Sequence, residues 1–321
     1  MLALGDFPPL FLYVVAVTLG LLFGSFLNVV IYRLPREENL AFPGSRCPGC
    51  GKPIAPWNNV PVLSYLVLRG KAACCGTKIS ARYPLIEAMC GLYAYAVLEL
   101  LILDLPSGTA FWRAGLLFLA YLVLGLGLIA VAFIDLEWLW VPDSITYGGT
   151  LLAFAALPLR DDIELTQALF GAVFGLLLVY VPFDLLYRLI RGRTGMALGD
   201  AKLVMLAGAW FGWFGAVYTL FAGAIQATLV TIATMIARGK VEESEAVKRE
   251  RQALKDELER AEGKEREELE RELEDDPLAE ELGDGVGSIR IPLGPFLVLA
   301  ALEYLLFAPV IKEFLFGELM P

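Results

Sequence analysis

Residues 203–237 read LVMLAGAWFGWFGAVYTLFAGAIQATLVTIATMIA, a stretch without a single charged side chain. A helix of that length would reach ~52 Å at ~1.5 Å per residue. The hydrocarbon core of a bilayer is only ~30 Å thick and is crossed by ~20 apolar residues. The stretch is therefore too long for one span. Its middle holds Gly212-Trp213-Phe214-Gly215, where the glycines offer a turn and the aromatics suit a membrane interface. It is read as a helical hairpin with spans near 200–213 and 216–237.

Outward from this hairpin the pattern repeats. Residues 7–32, 88–98, 114–134, 144–159 and 165–183 carry no charge, and 291–311 carry only Glu303. The further spans fall near 10–31, 84–103, 111–134, 144–159, 166–189 and 291–315. The whole chain of 321 residues is 57% hydrophobic and 19% charged, against ~45–50% and ~25% in soluble domains. The expected fold is an all-α polytopic membrane protein of about eight transmembrane helices.

The net charge of −10 looks out of place in such a protein until it is located. Residues 238–290 hold 11 of the 26 Lys+Arg and 19 of the 36 Asp+Glu, a net of −8, which leaves the rest of the chain at −2. If eight spans alternate, one side receives 32–83, 135–143, 188–202 and 238–290, and with them 23 of the 26 basic residues; Arg113, Arg160 and Lys312 remain opposite. The positive-inside rule places the basic side in the cytoplasm. Five segments follow: a first transmembrane helix (1–32), a cytosolic Cys-containing loop domain (33–83), a transmembrane core (84–237), a charged cytosolic insertion (238–290) and a last transmembrane helix with the C-terminus (291–321). The insertion pairs Glu245 with Arg249, Glu262 with Arg266 and Glu267 with Arg271 at i,i+4 beside a loose apolar stripe, so it reads as a cytosolic helical hairpin or short coiled coil broken near Gly263, a solvated accessory element without chemistry.

The chain has no histidine. Ser-His-Asp and Cys-His nucleophiles, histidine bases and histidine metal ligands are thereby excluded within it. Thiols and carboxylates remain. Cys47 and Cys50 form a CxxC knuckle, followed by Cys74 and Cys75; this spacing can point four sulfurs at one tetrahedral zinc ion, the alternative being reduced thiols or a redox pair. Cys90 falls in an apolar helix and reads as packing. Three aspartates stand at span boundaries: Asp135 ends the third span, Asp143 precedes the fourth, and Asp200 opens the sixth. Ionisable groups at membrane depth are expensive and usually mark a partner or a function. Two carboxylates on neighbouring helices can share one proton, so that the neutral acid polarises a peptide carbonyl while the ionised one activates water. The plainer alternative is that Asp143 and Asp200 favour helix dipoles and Asp135 pairs with a base such as Lys202. Asp184 and Glu87 are further ionisable groups in spans, and Glu87 could equally be a structural ion-pair partner.

In order along the chain, Gly24-Ser25-Phe26-Leu27-Asn28 through Arg33-Leu34-Pro35, Cys47-Pro48-Gly49-Cys50, Trp57-Asn58-Asn59 through Ser64-Tyr65, Arg82-Tyr83-Pro84-Leu85-Ile86-Glu87, Ile134-Asp135-Leu136, Pro142-Asp143 and Gly199-Asp200-Ala201-Lys202-Leu203 resemble the signature of the bacterial type IV prepilin peptidases, bifunctional leader peptidase/N-methyltransferases. Only 238–290 falls outside the pattern. The resemblance implies an inner-membrane aspartic protease in which Asp135 and Asp200 match the two catalytic aspartates. Asp143 is the second choice for the first aspartate, and Gly199 and Lys202 are supporting residues. It implies leader removal from prepilins or pseudopilins at the cytoplasmic face, then N-methylation by S-adenosylmethionine; no glycine-rich cofactor loop is found, and the cofactor-binding residues are unassigned. Two departures stand out. Ala197 replaces the family's glycine two places before Gly-Asp, and Ala72 stands at the place of its third cysteine, with Cys75 matching the last and Cys74 as a substitute. The expected partners are prepilin or pseudopilin precursors and membrane lipid, with no nucleic acid and no assignable oligomeric state. The competing reading is a non-proteolytic transporter or assembly scaffold whose aspartates serve as proton or ion-pair groups, although no internal repeat of the transporter kind is seen.

Overall fold

In a computed structural model the chain is helical and contains, among the described residues, no strand beyond three isolated β-bridges. The described residues are 2–191, 198–238 and 292–317, with six single positions between 252 and 266. Almost all of the insertion 238–290, and Ala197, therefore lie outside them. Within the insertion, Gln252, Asp256 and Arg260 are helical, and Gln252 Nε2 donates to Asp256 Oδ1 at 2.7 Å. The chain divides into two compact units, Met1–Ala130 and Val131–Pro321.

The first unit holds α1 (Pro9–Arg33), the short α2 (Leu63–Val67), α3 (Arg82–Val97, continued by a wider turn over Leu98–Ile102) and most of α4 (Phe111–Trp138). Helix α1 buries Leu12, Ala16, Gly20, Gly24 and Asn28, a stripe at every fourth position. Small residues there allow backbones to approach closely, which replaces the hydrophobic drive that lipid does not supply. A Cβ at Gly20 would lie 2.5 Å from the Cys90 carbonyl oxygen, and one at Gly24 would lie 2.8 Å from Cys90 Cβ. Cys90 is thus a packing residue, as its apolar surroundings predict.

The second unit holds the end of α4, then α5 (Asp143–Ala156), α6 (Leu165–Tyr180), α7 (Leu186–Arg191), α8 (Leu198–Arg238) and α9 (Gly294–Phe316). Gly171 of α6 and Gly208 of α8 meet backbone to backbone. Trp210 is wholly buried and donates Nε1–H to the Gly149 carbonyl of α5 at 2.9 Å. Gly223 of α8 lies against Leu297 of α9.

Among the described residues six helices are long and apolar enough to cross a membrane, against the eight or so expected: Pro9–Arg36, Arg82–Ile102, Phe111–Trp138, Leu165–Ile190, Leu198–Ala237 and Gly294–Phe316. The difference lies in two elements. Helix α5 has 14 residues, only ~21 Å of helix, because Pro142 precedes it and Pro158 follows. The run in α8 counts once although Gly212 breaks it with φ 73 and ψ −175, a conformation open to glycine and strained for other residues. Gly175 of α6 adjoins both Val204 and Ala216, which a straight helix would hold ~18 Å apart. The chain therefore doubles back at Gly212, where the sequence suggests a turn.

Candidate active site and thiolate centre

Asp135 sits in the last turn of α4, where its side chain is 6% exposed. The helix ends one turn later, as Leu139 takes a positive φ and its amide donates to the Asp135 carbonyl at 2.9 Å. The carboxylate is met by the start of α9. The Gly294 amide donates to Asp135 Oδ2 at 3.1 Å, and a Cβ on Gly294 would lie 2.5 Å from that oxygen. Only glycine lets the backbone rest against the carboxylate.

Asp200, half-buried, lies in the first turn of α8 and interacts electrostatically with Asp135. The residue before it fixes its approach. A Cβ on Gly199 would fall 2.9 Å from both Cβ and Cγ2 of the buried Val141, on the loop that follows α4. Two carboxylates thus gather at one end of this unit, each beside the N-terminus of a helix. The positive ends of the helix dipoles favour negative charge there. Lys202 Nζ binds Asp143 Oδ1 at 2.5 Å and lies 5.4 Å from the Tyr147 ring centroid. Asp143, rather than Asp135, is therefore the partner of Lys202, which removes the plainer reading of Asp135 as a lysine-paired group.

A buried and a half-buried carboxylate that interact electrostatically suit acid–base hydrolysis of a bond brought to them. The Bacterial Peptidase A24 N-terminal domain model matches residues 18–100, and the Type IV leader peptidase family model matches residues 122–232. The prepilin leader peptidase/N-methyltransferase of Pseudomonas putida is 36% identical over 248 residues, covering 70% of this chain and 81% of that protein. That of Neisseria gonorrhoeae is 36% identical over 251 residues, covering 70% and 83%. The chain belongs to the type IV leader peptidase family. A further relative of the same name, from Myxococcus xanthus, is 37% identical over 237 residues, covering 74% of this chain and 67% of that protein. No solved structure matches.

This leader peptidase family chain carries its thiols in the first unit, on two matching knuckles. Cys47 N donates to Lys52 O and Gly51 N to Cys47 O, both at 2.9 Å; Ala72 N donates to Thr77 O and Gly76 N to Ala72 O, both at 2.8 Å. Gly51 and Gly76 both take positive φ, near 70°, and the β-bridges Arg46–Pro53 and Lys71–Lys78 close the two loops. In this equivalence Cys47 matches Ala72 and Cys50 matches Cys75. Cys74, one position before Cys75, supplies the fourth sulfur. All four Sγ atoms lie within 4.8 Å of one another, with Cys50–Cys74 at 3.3 Å, Cys47–Cys75 at 3.5 Å and Cys74–Cys75 at 3.9 Å. A tetrahedral ion with ~2.3 Å bonds to sulfur needs sulfurs about 3.8 Å apart, so the donor set fits a closed metal site.

The thiols differ electrostatically. The Thr77 hydroxyl and amide lower Cys75 to about 6. Hydrogen bonding to Cys50 and Cys47 raises Cys74 to about 12. The amides of Cys50 and Gly49 lower Cys47.

The other sequence-level candidates have structural partners. Asp184 accepts from Arg188 at 2.9 Å within one helical turn. Glu87 accepts the Val62 amide at 2.7 Å. Gly294 and Val141 escape the sequence reading. Gly294-Pro295 signals only the start of a helix, and Val141 only a loop; their roles follow from residues 159 and 58 positions away.

Proposed function

We propose that this chain is a membrane aspartic endopeptidase that removes the leader of type IV prepilins or pseudopilins, then N-methylates the new amino terminus with S-adenosylmethionine. The observation carrying the hydrolytic reading is the meeting of Asp135 with Asp200 and the start of α9, in a chain of this family with no histidine. In the proposed reaction a water lies between the carboxylates. One takes its proton as the oxygen attacks the scissile carbonyl, while the other protonates the carbonyl oxygen. The tetrahedral diol collapses as the acquired proton passes to the departing nitrogen and a diol hydroxyl gives its proton to the other carboxylate, which breaks the C–N bond and restores the shared proton. Gly199 brings Asp200 close, Gly294 orients Asp135, and the Lys202–Asp143 pair braces the first turns of α8 and α5.

Methyl transfer is supported by the relatives' printed names, and S-adenosylmethionine would supply an electrophilic methyl group to the freed amine. A structural zinc ion held by Cys47, Cys50, Cys74 and Cys75 is supported by the thiol geometry and would tie the two knuckles together. The concentration of basic residues on one side supports placement in a bacterial inner membrane with the site facing the cytoplasm.

The test is incubation of the purified protein, in detergent, with a prepilin, with and without S-adenosylmethionine. Loss of the leader mass and, with the donor, gain of a methyl are expected. Asp135→Asn and Asp200→Asn should each lower cleavage by roughly a thousandfold or more while still inserting. Parental cleavage by either variant removes the dyad, and no product with the parent returns the chain to the transporter or scaffold reading.

A further inference from the structure

The segment between the thiol knuckles carries an unpartnered apolar surface. Trp57 is 76% exposed, Leu63 60%, Leu66 63% and Val67 79%. None belongs to a spanning helix. Ser64 binds them into one tip: its hydroxyl accepts the Val60 amide at 2.9 Å and donates to the Trp57 carbonyl at 3.2 Å. A cluster of this kind facing water would be a liability, and in proteins it marks an interaction site.

The backbone shows where the tip is held. Val62 has φ 60 and ψ −48, and Leu63 N donates to Pro61 O at 2.6 Å, closing the rare positive-φ γ-turn. A β-branched residue in that conformation is strained and persists only when its surroundings impose it. The imposing group is Glu87, whose buried carboxylate accepts the Val62 amide. Glu87 lies five residues inside the candidate span Arg82–Ile102, so ~7.5 Å along its axis. About one turn nearer the start of α3, Asn28 of α1 donates to the Tyr83 carbonyl at 3.2 Å. The tip is therefore clipped through Val62 to α3 in the second turn of its span, not suspended above it.

We infer that the face bearing Trp57, Leu63, Leu66 and Val67 inserts into the headgroup region of the membrane leaflet beside α1 and α3. The charges agree. Residues 33–82 carry eight Lys+Arg and two acidic residues, with Arg69 and Lys71 directly after the tip, and an anionic leaflet attracts such a rim. Tryptophan, apolar with one polar edge, favours that depth. The strained turn then has a use: it aims α2 so that Leu63, Leu66 and Val67 meet lipid while the knuckles stay in water. This inference is independent of the proteolytic reading, because no residue of the aspartate site enters it.

The experiment places a benzophenone amino acid at Leu66, at Lys52 on the exposed first knuckle, or at the exposed Leu92 of α3, in full-length protein in nanodiscs of phosphatidylcholine and phosphatidylglycerol. Irradiation followed by mass spectrometry counts lipid adducts. The yield at Leu66 should approach that at Leu92 and exceed that at Lys52 by roughly tenfold. A yield at Leu66 no higher than at Lys52, or crosslinking chiefly to a second copy of the chain, overturns the inference. The same probe at Val67 repeats the measurement should the Leu66 variant fail to accumulate.

Discussion

A methyl group on Gly294 would sit 2.5 Å from Asp135 Oδ2 and 2.9 Å from its Cγ. The carboxylate would have to turn off the Gly294 amide to admit it. Gly294→Ala is expected to lower leader cleavage about a hundredfold, the cost of displacing a reacting group by ~1 Å, while the protein still inserts. Parental cleavage by that variant would show the contact to be incidental. At the thiols the prediction concerns protonation. In metal-free protein at pH 7, Cys75, lowered to about 6, is mostly thiolate, and Cys74, raised to about 12, is thiol. Alkylation followed by peptide mapping should therefore modify Cys75 well before Cys74; the reverse order would show that Thr77 does not govern Cys75. Asp135, Asp200 and the four cysteines are all legible as residue types at suggestive places. Gly294 is not, because a glycine before a proline looks the same at any helix start.

Among the elements, α6 and α8 depend on glycine facing glycine. Gly171→Leu would force a branched side chain against the Gly208 carbonyl and the Gly212 backbone. Overpacking of this kind costs about 1–3 kcal/mol, and a lower unfolding temperature in detergent is expected, with an unchanged one refuting the close approach. The hydrophobic runs make the long spans legible, and the glycines inside 203–237 make its reversal legible too, whereas the length of α5 is not. Helix α5 is apolar yet short, and α8 is long yet reversed at Gly212. The knuckles are the opposite case, since the four cysteines are plain in the sequence, while the second loop repeats the geometry of the first with Ala72 in place of a cysteine and Cys74 beside the matching Cys75. Zinc measured in the purified protein should fall to background in Cys47→Ser; equal, negligible metal in parent and variant would remove the site.

For the whole molecule, the distribution of basic residues predicts an orientation. Cys50 and Cys74 are exposed on the loop domain. With a chelator present, a membrane-impermeant maleimide should label them in inverted inner-membrane vesicles and not in intact spheroplasts. Labelling from the outside would reverse the proposed topology. The same charge count shows that the −10 of the full chain describes a nearly neutral membrane body with a −8 segment added between α8 and α9.

The sequence alone determines the solvent of this protein, because burial of uncharged runs in lipid is a property of composition and length. It also determines the available chemistry, since the absence of histidine leaves carboxylates and thiols. The tertiary structure decides which of these groups meet. Lys202 binds Asp143 and leaves Asp135 to Gly294, and Glu87 holds a strained turn through the Val62 amide. Such choices rest on contacts between residues 25 to 159 positions apart. Close packing of helices sets those distances to within a methyl group, and no local pattern along the chain encodes them.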